Sequence, residues 1–398
     1  MTALNSGLQV EDFVCEIAEM GHVLDRPLRY VQINSVPNGS TGSVMRSIHE
    51  GLTAKGVESY LEWGRRRGSN LPYEHNFGTT LEINPFDAIL SILDGREGFH
   101  SKEGTRRLLA RLDEIDPDVV HLHNLHGYYV NIEMLFGWLA SHRCQVRWTL
   151  HDCWAFTGHC AYFTYAKCAQ WQSHCAYLKS CPQLGAYPKT ISKASCKWNF
   201  EQKKRLFNLV PTDRMRLITP SEWLAGLVGK SFLAKYPVDV RHNIIDRTVF
   251  KPTPSDFRER YGIGDRFMVL GVASPWTERK GIDDFIRLSH DLDQNRYVIV
   301  LVGLSPKQIK RIKGNVLAML KTESKEELAE IYTAADVFFN PTIEDNYPTV
   351  NLEAESCGTP VVTYDTGGCR ETVSLHDSVV AFNYKESVKA IESMAGVR

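Results

Sequence analysis

The chain has 398 residues, which at roughly 100–200 residues per domain points to two compact domains. Apolar residues make up 43% and charged residues 23%, the balance of an ordinary folded protein, so disorder, collagen and coiled coil have no compositional support. Lys plus Arg number 46 against 47 for Asp plus Glu; no global field gathers nucleic acid or a membrane, and nucleic acid is not an expected partner.

In chain order, residues 1–27 read as a polar N-terminal leader. They lack the basic segment, apolar run and small-residue cleavage site of a signal peptide, and no run approaches the roughly 20 apolar residues of a membrane span. A cytoplasmic protein is the expectation. Residues 28–34 read as a strand, 36–42 as a Gly/Ser/Pro/Asn loop, and a helix follows from Ser43 to about Lys55. The alternation recurs with a strand at 119–123 and a helix near Asn131, a strand at 146–151 and a Cys-rich insertion at 153–188, then a strand at 216–220 and a helix from Ser221. Strands alternating with helices predict a parallel sheet covered on both faces, so residues 28–250 form a Rossmann-like domain.

After Lys251-Pro252-Thr253-Pro254 a second series begins, with strands at 267–272, 297–302, 337–340 and 359–363 and a helix opening near Gly281. Residues 251–384 form a second Rossmann-like domain, followed by a C-terminal helix at 385–398. Within it, residues 324–335 carry helically spaced Leu328, Ile331, Tyr332 and Ala335 behind a Ser-Lys-Glu-Glu opening suited to an N-terminal cap. The fold class is α/β, and such domains bind ligands outside the carboxyl ends of their strands, in the cleft where two of them face each other.

The most informative stretch is Asn340-Pro341-Thr342-Ile343-Glu344-Asp345-Asn346-Tyr347-Pro348-Thr349, leading through Glu353 and Ala354 to Gly358-Thr359-Pro360-Val361-Val362. A strand ends in an acidic loop, and a helix starts near Pro348 or Thr349. Free backbone N–H groups at that start suit a phosphate. Glu353, one turn further, can accept hydrogen bonds from a ribose diol, and Asp345 can meet a sugar on the second phosphate.

An acid, seven residues, an acid, then Ala and later Gly-x-Pro-Val-Val resembles the retaining nucleotide-sugar glycosyltransferases of family four, whose fold is GT-B, two Rossmann-like domains facing across a cleft. Asp345 and Glu353 fit the spacing, and Glu344 stands one residue too far. Family members more often carry Glu at the first position, so Asp345 is a departure. In the stretch from Gly271 to Gly281, Lys280 and Gly281 match the family, while the family's Arg position is occupied by Ser274 and Arg279 offers a second cation. Diphosphate contact by Lys280 and Arg279 follows as an expectation. The resemblance implies that Asn346, Tyr347, Thr349 and Glu353 also hold the donor, and that Gly39 and Gly42, in Asn38-Gly39-Ser40-Thr41-Gly42-Ser43, line it from the first domain.

His151 ends a strand, where family members carry a histidine that contacts the donor sugar; it can donate a hydrogen bond to a sugar hydroxyl or help stabilise developing charge. Together with Asp345 it is the expected catalytic pair. His123, Asn124 and His126 are expected to line the acceptor site or satisfy loop backbone, and His121 with His123 also share a strand face suited to a metal. Five of the ten cysteines lie in residues 153–181. Cys160, Cys168, Cys175 and Cys181 are candidate ligands of a structural zinc, beside the alternatives of reduced thiols and disulfides. The aromatics around them, among them Trp154, Phe156, Phe163, Trp171 and Tyr177, can stack on acceptor sugars. This segment resembles Cys/Trp-rich stretches of polysaccharide-assembly transferases of the colanic-acid type. Residues 189–207, with Lys193, Lys197, Trp198, Lys203, Lys204 and Arg205, form a basic aromatic helix candidate, read first as a solvated helix with an apolar inner stripe and otherwise as a face suited to an anionic membrane surface, where a lipid-linked acceptor would be found.

The resemblance spans about residues 28–384. It implies transfer of a sugar from a nucleoside diphosphate donor to a saccharide acceptor in cell-surface polysaccharide biosynthesis, with retention and with no metal required for catalysis. The alternatives are an epimerase or phosphorylase on the same fold, or a catalytically silent binding subunit.

Overall fold

The computed structural model describes residues 6–65, 73–78, 86–176, 180–192, 195–312 and 314–396. The chain divides into two compact units, Leu4–His242 and Asn243–Arg398. Tyr177 and Lys193, named above, lie outside the described residues.

The first unit holds β1 (Arg29–Asn34), β2 (Glu58–Trp63), β3 (Glu74–Asn76), β4 (Val119–Leu122), β5 (Gln145–Thr149), β6 (Met215–Thr219) and β7 (Val238–Val240). They form a seven-stranded sheet in the order β3-β2-β1-β4-β5-β6-β7, and neighbouring strands pair in parallel throughout. The central strands are buried on both faces, which is why they read as near-continuous apolar runs in the sequence. β2 escaped the sequence reading because Glu58 and Glu62 interrupt its pattern; Glu62 is buried nonetheless, with Nδ1 of His75 at 3.0 Å from its carboxylate. Residues treated above as a leader contain a helix, Ser6–Met20, whose Phe13, Val14 and Ile17 pack with Tyr30, Ile48 and Leu52.

The helix after β1 runs from Gly39 to Ala54, four residues earlier at its start than the sequence suggested. The Gly/Ser/Thr stretch is therefore its first turn rather than a loop. Asn34 fixes that turn by donating from Nδ2 to Val36 O and Thr41 Oγ1, both at 3.1 Å. Gly42 is required by close approach, because a Cβ there would lie 2.6 Å from the Pro37 carbonyl carbon.

The second unit holds β8 (Phe267–Val272), β9 (Tyr297–Val302), β10 (Val316–Ala318), β11 (Val337–Asn340), β12 (Val361–Tyr364) and β13 (Val379–Ala381), in the order β10-β9-β8-β11-β12-β13, again all parallel. Phe250 packs with Phe257, Met268 and Tyr332, and its carbonyl accepts from Ser356 Oγ at 2.6 Å. Residues 243–250 thus fold with this unit, not with the first. The helix Tyr384–Gly396 packs through Tyr384, Ile391 and Ala395 into a separate core cluster of the same unit, with Phe267 and Phe339. Ser324 caps the helix Lys325–Ala334 by accepting from Glu327 N at 3.1 Å, as its sequence suggested.

Strand order reverses between β1 and β4 in one sheet and between β8 and β11 in the other. The crevice at such a switch point, outside the carboxyl ends of the strands, is where open α/β sheets bind ligands. Gly281 joins the two loops of the second crevice: its φ is +76°, and a Cβ would lie 2.3 Å from Pro341 O. Gly281→Ala is therefore expected to cost about 3 kcal/mol, read as a lower midpoint for the second unit in urea unfolding.

Candidate active site

In the second unit the loops after β8 and β11 meet. Residues Glu278–Lys280 form a single 3₁₀ turn ahead of the helix Ile282–Asp291, and backbone N–H of Ile343 donates to Arg279 O at 2.9 Å. That pairing brings both basic side chains to the acidic loop. Lys280 Nζ donates to Asp345 Oδ2, and an Arg279 NH1 stands 3.8 Å from the same oxygen while donating to Glu344 O. Burial works against the Asp345 charge, yet Lys280 and Arg279 outweigh it and hold the carboxyl below its ordinary value. Asn346 N donates to Asp345 Oδ1 at 3.0 Å, and Gly368 N, from the loop after β12, to Asp345 O at 3.0 Å. The residue that departs from the family pattern is thus the centre of an ion-pair cluster.

The helix Thr349–Ser356 starts after Pro348, whose side chain accepts no cap hydrogen bond. Its first N–H groups meet no side-chain cap from that position, the arrangement that favours an anion. A buried amide chain aims the helix: Asn340 Nδ2 donates to Asn351 Oδ1, and Asn351 Nδ2 to Thr372 Oγ1, both at 2.8 Å. Glu353, on this helix, accepts from Tyr332 Oη at 3.1 Å. Burial pushes the Glu353 carboxyl up, against hydrogen bonds from Tyr332 and Thr349 that pull it down. The helical spacing of Tyr332 reveals the packing face it occupies but not the carboxylate it meets. Ser274 is exposed at the end of β8 and supplies no charge.

In the first unit the first turn of the helix after β1 holds Gly39 and Gly42, and the loop after β4 holds His123, Asn124 and His126. His126 and Asp152 form a buried pair, Nε2 to Oδ2 at 2.6 Å, and Nδ1 of His126 lies 3.1 Å from Tyr187 Oη. Burial disfavours the His126 charge, but Asp152 and Glu97 raise its pKa overall. Asn124 is half-buried, its carbonyl taking Tyr129 Oη at 2.7 Å. His123 is wholly buried, with His151 Nε2 at 3.2 Å from its Nδ1 and Gln32 Oε1 at 3.2 Å from its Nε2. It therefore stands behind His151 rather than on an acceptor surface. His121 is engaged by Tyr30 Oη and Thr149 Oγ1, both at 2.7 Å.

Cys160, Cys168, Cys175 and Cys181 line one small pocket together with Cys196, a cysteine that lies beyond the Cys-rich insertion in sequence. Cys175 Sγ accepts from Gly158 N at 3.2 Å, and a hydrogen bond from Cys196 lowers the Cys181 thiol to about 7. Among the described residues no three Cys, His, Asp or Glu side chains form a group able to hold a metal ion. Phe156, Phe163 and Trp171 pack on one another at 5.0–6.4 Å between ring centroids, so these aromatics face inward and offer no stacking surface to a sugar. The basic helix candidate also differs from expectation. Ser195–Phe207 is helical, but Lys203 is buried, donating to Trp154 O at 2.9 Å and Thr157 O at 3.1 Å. Among the described residues no helix is long and apolar enough to cross a membrane.

The arrangement in the second unit coincides with a known sequence family. Residues 255–395 match glycosyl transferases group 1. Over 360 residues the chain is 24% identical to the putative colanic acid biosynthesis glycosyl transferase WcaC of Escherichia coli K12, covering 84% of this chain and 82% of that one. Among solved structures, sucrose-phosphate synthase of Thermosynechococcus elongatus superposes with a TM-score of 0.65 at 14% identity, over 93% of this chain and 90% of its own. HepE of Anabaena, in complex with UDP-glucose, superposes with a TM-score of 0.58 at 14% identity, over 92% of this chain and 89% of its own. The α/β two-unit GT-B fold and the resemblance to glycosyltransferases of the colanic-acid type are thereby shown.

Burial holds the His121 imidazole at about 3 and that of His151 at about 4, against an ordinary value of 6.5. An unfolded chain then binds more protons than the folded one between those values. Stability is expected to be whole above about pH 6.5 and to fall as pH drops from there towards 4, by about 1.4 kcal/mol per pH unit for each histidine. Urea unfolding at stepped pH checks this, and His121→Gln should flatten the dependence.

Proposed function

We propose that this chain is a retaining glycosyltransferase that moves a sugar from a nucleoside diphosphate donor to a saccharide acceptor, lipid-linked or free, in the assembly of a cell-surface polysaccharide. The observation that carries the reading is the second unit's switch point, where Lys280 meets Asp345 shortly ahead of the uncapped start of Thr349–Ser356, the helix that carries Glu353. The relatives support it: a colanic acid glycosyl transferase by sequence, and by fold a protein solved with UDP-glucose.

In this reading the α- and β-phosphates lie at the helix start, against N–H groups near Thr349, and Lys280 turns from Asp345 to the diphosphate. Arg279, anchored on Glu344 O, adds positive potential without needing to move. These fixed cations and dipoles stabilise the charge that grows on the leaving diphosphate, the role that preorganised donors fill best. Asp345, released from Lys280, accepts from hydroxyls of the transferred sugar, and Asn346 and Tyr347 border it. Glu353 accepts from the ribose diol. In the first unit, the family resemblance assigns His151, Gly39 and Gly42 to the donor sugar and Asn124 and His126 to the acceptor. Retention follows from attack on the same face that the diphosphate leaves, with the acceptor proton passing to the leaving phosphate oxygen.

A thermal-shift panel of UDP-, GDP- and ADP-sugars is expected to give one stabilising nucleotide class. Hydrogen bonds to a charged group contribute about 1.5–3 kcal/mol, so Glu353→Ala should weaken that nucleotide by about 10- to 100-fold in calorimetric titration. Unchanged affinity would remove Glu353 from the site. Lys280→Ala should weaken the diphosphate nucleotide more than the matching nucleoside, which distinguishes phosphate contact from general loss of fold.

A further inference from the structure

The helix Phe86–Asp94, in the first unit, buries its polar residues and exposes its apolar ones. Asp87 and Ser91 are buried, while Phe86, Ile89 and Leu93 stand in solvent. A helix turned this way borders a polar interior. Ser91 lines a small cavity together with Glu97 from the turn beyond the helix, His159 from the Cys-rich insertion and Asn199 from the helix Ser195–Phe207. All four side chains are more than nine-tenths buried. Each carries one polar atom without a hydrogen-bond partner among the described residues: Ser91 Oγ, Glu97 Oε2, His159 Nε2 and Asn199 Oδ1. Four such atoms around one cavity define a site for an occupant that hydrogen-bonds to them all.

The donors and acceptors of this site can be counted. Asn199 Nδ2 donates to Gly95 O at 2.6 Å. Turning that amide over would set two oxygens against each other, so Oδ1 is the atom left to accept. The His159 ring hydrogen-bonds to the backbone of Gln183, Leu184 and Ala186, and Nε2 takes no part in this, so Nδ1 carries the proton. Burial holds the imidazole at about 4, neutral at pH 7, which leaves a lone pair on Nε2. Glu97 Oε1 already accepts from Gly127 N at 2.6 Å, and Oε2 remains. With Glu97 ionised the site would offer three acceptors and only the Ser91 hydroxyl as donor. A water molecule has two protons to give, so one acceptor would go unmet. A proton on Glu97 Oε2 balances the count: Ser91 and Glu97 donate to the water, and the water donates to Asn199 and His159.

Size and charge select the occupant. The cavity measures about 10 Å³, the room that one water needs. Lys203, buried beside it, donates to the carbonyl of Trp154, which lines the same cavity, and its charge reaches both Glu97 and His159. A further cation would be repelled there. Burial, the largest influence on Glu97, pushes its carboxyl up, and Asp152 adds to this; His126, the Gly127 N–H and Lys203 act against it without reversing it. Asp152, 2.6 Å from His126, remains the counter-charge to that ring. We propose that Ser91, Glu97, His159 and Asn199 bind one buried water molecule, with Glu97 held as the neutral acid. The site ties two helices and the Cys-rich insertion to Gly127 N, and so anchors the loop that carries His126.

A crystal structure of the full chain grown in rubidium chloride is expected to show one water within hydrogen-bond distance of all four atoms and no rubidium anomalous signal among them. A dry cavity overturns the site, and rubidium inside it overturns water as the occupant. At pH 7 the infrared spectrum should contain a protonated-carboxyl C=O band that shifts in D₂O and is lost in Glu97→Gln. A wild-type-minus-variant difference without that band overturns the neutral acid. Glu97→Gln preserves both hydrogen bonds, one accepted from Gly127 N and one donated to the water, so it should unfold at the wild-type urea midpoint, while Glu97→Leu unfolds at a lower one. Equal losses in the two variants would mark Glu97 as an ionised partner of His126 and Lys203 and overturn the proposal.

Discussion

Parallel pairing is the constraint on which the molecule depends. In a parallel sheet every strand points the same way, so every loop that follows a strand emerges at one edge. In the second unit this gathers Ser274 after β8, the acidic loop after β11 and Gly368 after β12 at one rim. In the first it gathers Gly39 and Gly42 after β1, His123 and His126 after β4 and His151 after β5. Residues separated by 65 positions in sequence, Lys280 and Asp345, touch for that reason alone. The order reversals at β1/β4 and β8/β11 open the crevices into which these loops project.

Electrostatics then decides what the crevices hold. The chain is close to neutral overall, so any anion must be held by local charge. The second unit supplies it by storing Lys280 and Arg279 against Asp345, a carboxylate kept ionised by those same cations despite its burial. A cation held in this way is already desolvated and aimed, which lowers the reorganisation required of it when an anion arrives. The first unit follows a different rule. Its histidines at the sheet edge are kept neutral by burial and are arranged by hydrogen-bond direction, while His126 alone among them is biased towards charge, by Asp152.

Much of the architecture was legible in the chain. β8, β9 and β11 begin and end where the apolar runs do, because a strand buried on both faces has no polar position to blur its limits. The edge strands β3, β7, β10 and β13 were not legible: each has three residues, half-buried in the main, and carries too short a pattern to stand out from a loop. Lys203 and Glu62 show the opposite failure. Charged types suggest a solvated face, yet both are buried with partners that lie far away in sequence or on other strands.

The sequence by itself determined that there are two parallel α/β units, and that a helix carrying Glu353 begins just after the acidic loop of Asp345, because spacing along a strand-loop-helix unit translates directly into position. Only the tertiary structure decided which partners those residues take, that His123 stands behind His151, that Phe156, Phe163 and Trp171 of the cysteine segment pack inward, and that Gln32 points its oxygen at an imidazole. Hydrogen-bond direction depends on atoms brought together from separate strands, and no local pattern of residue types records it.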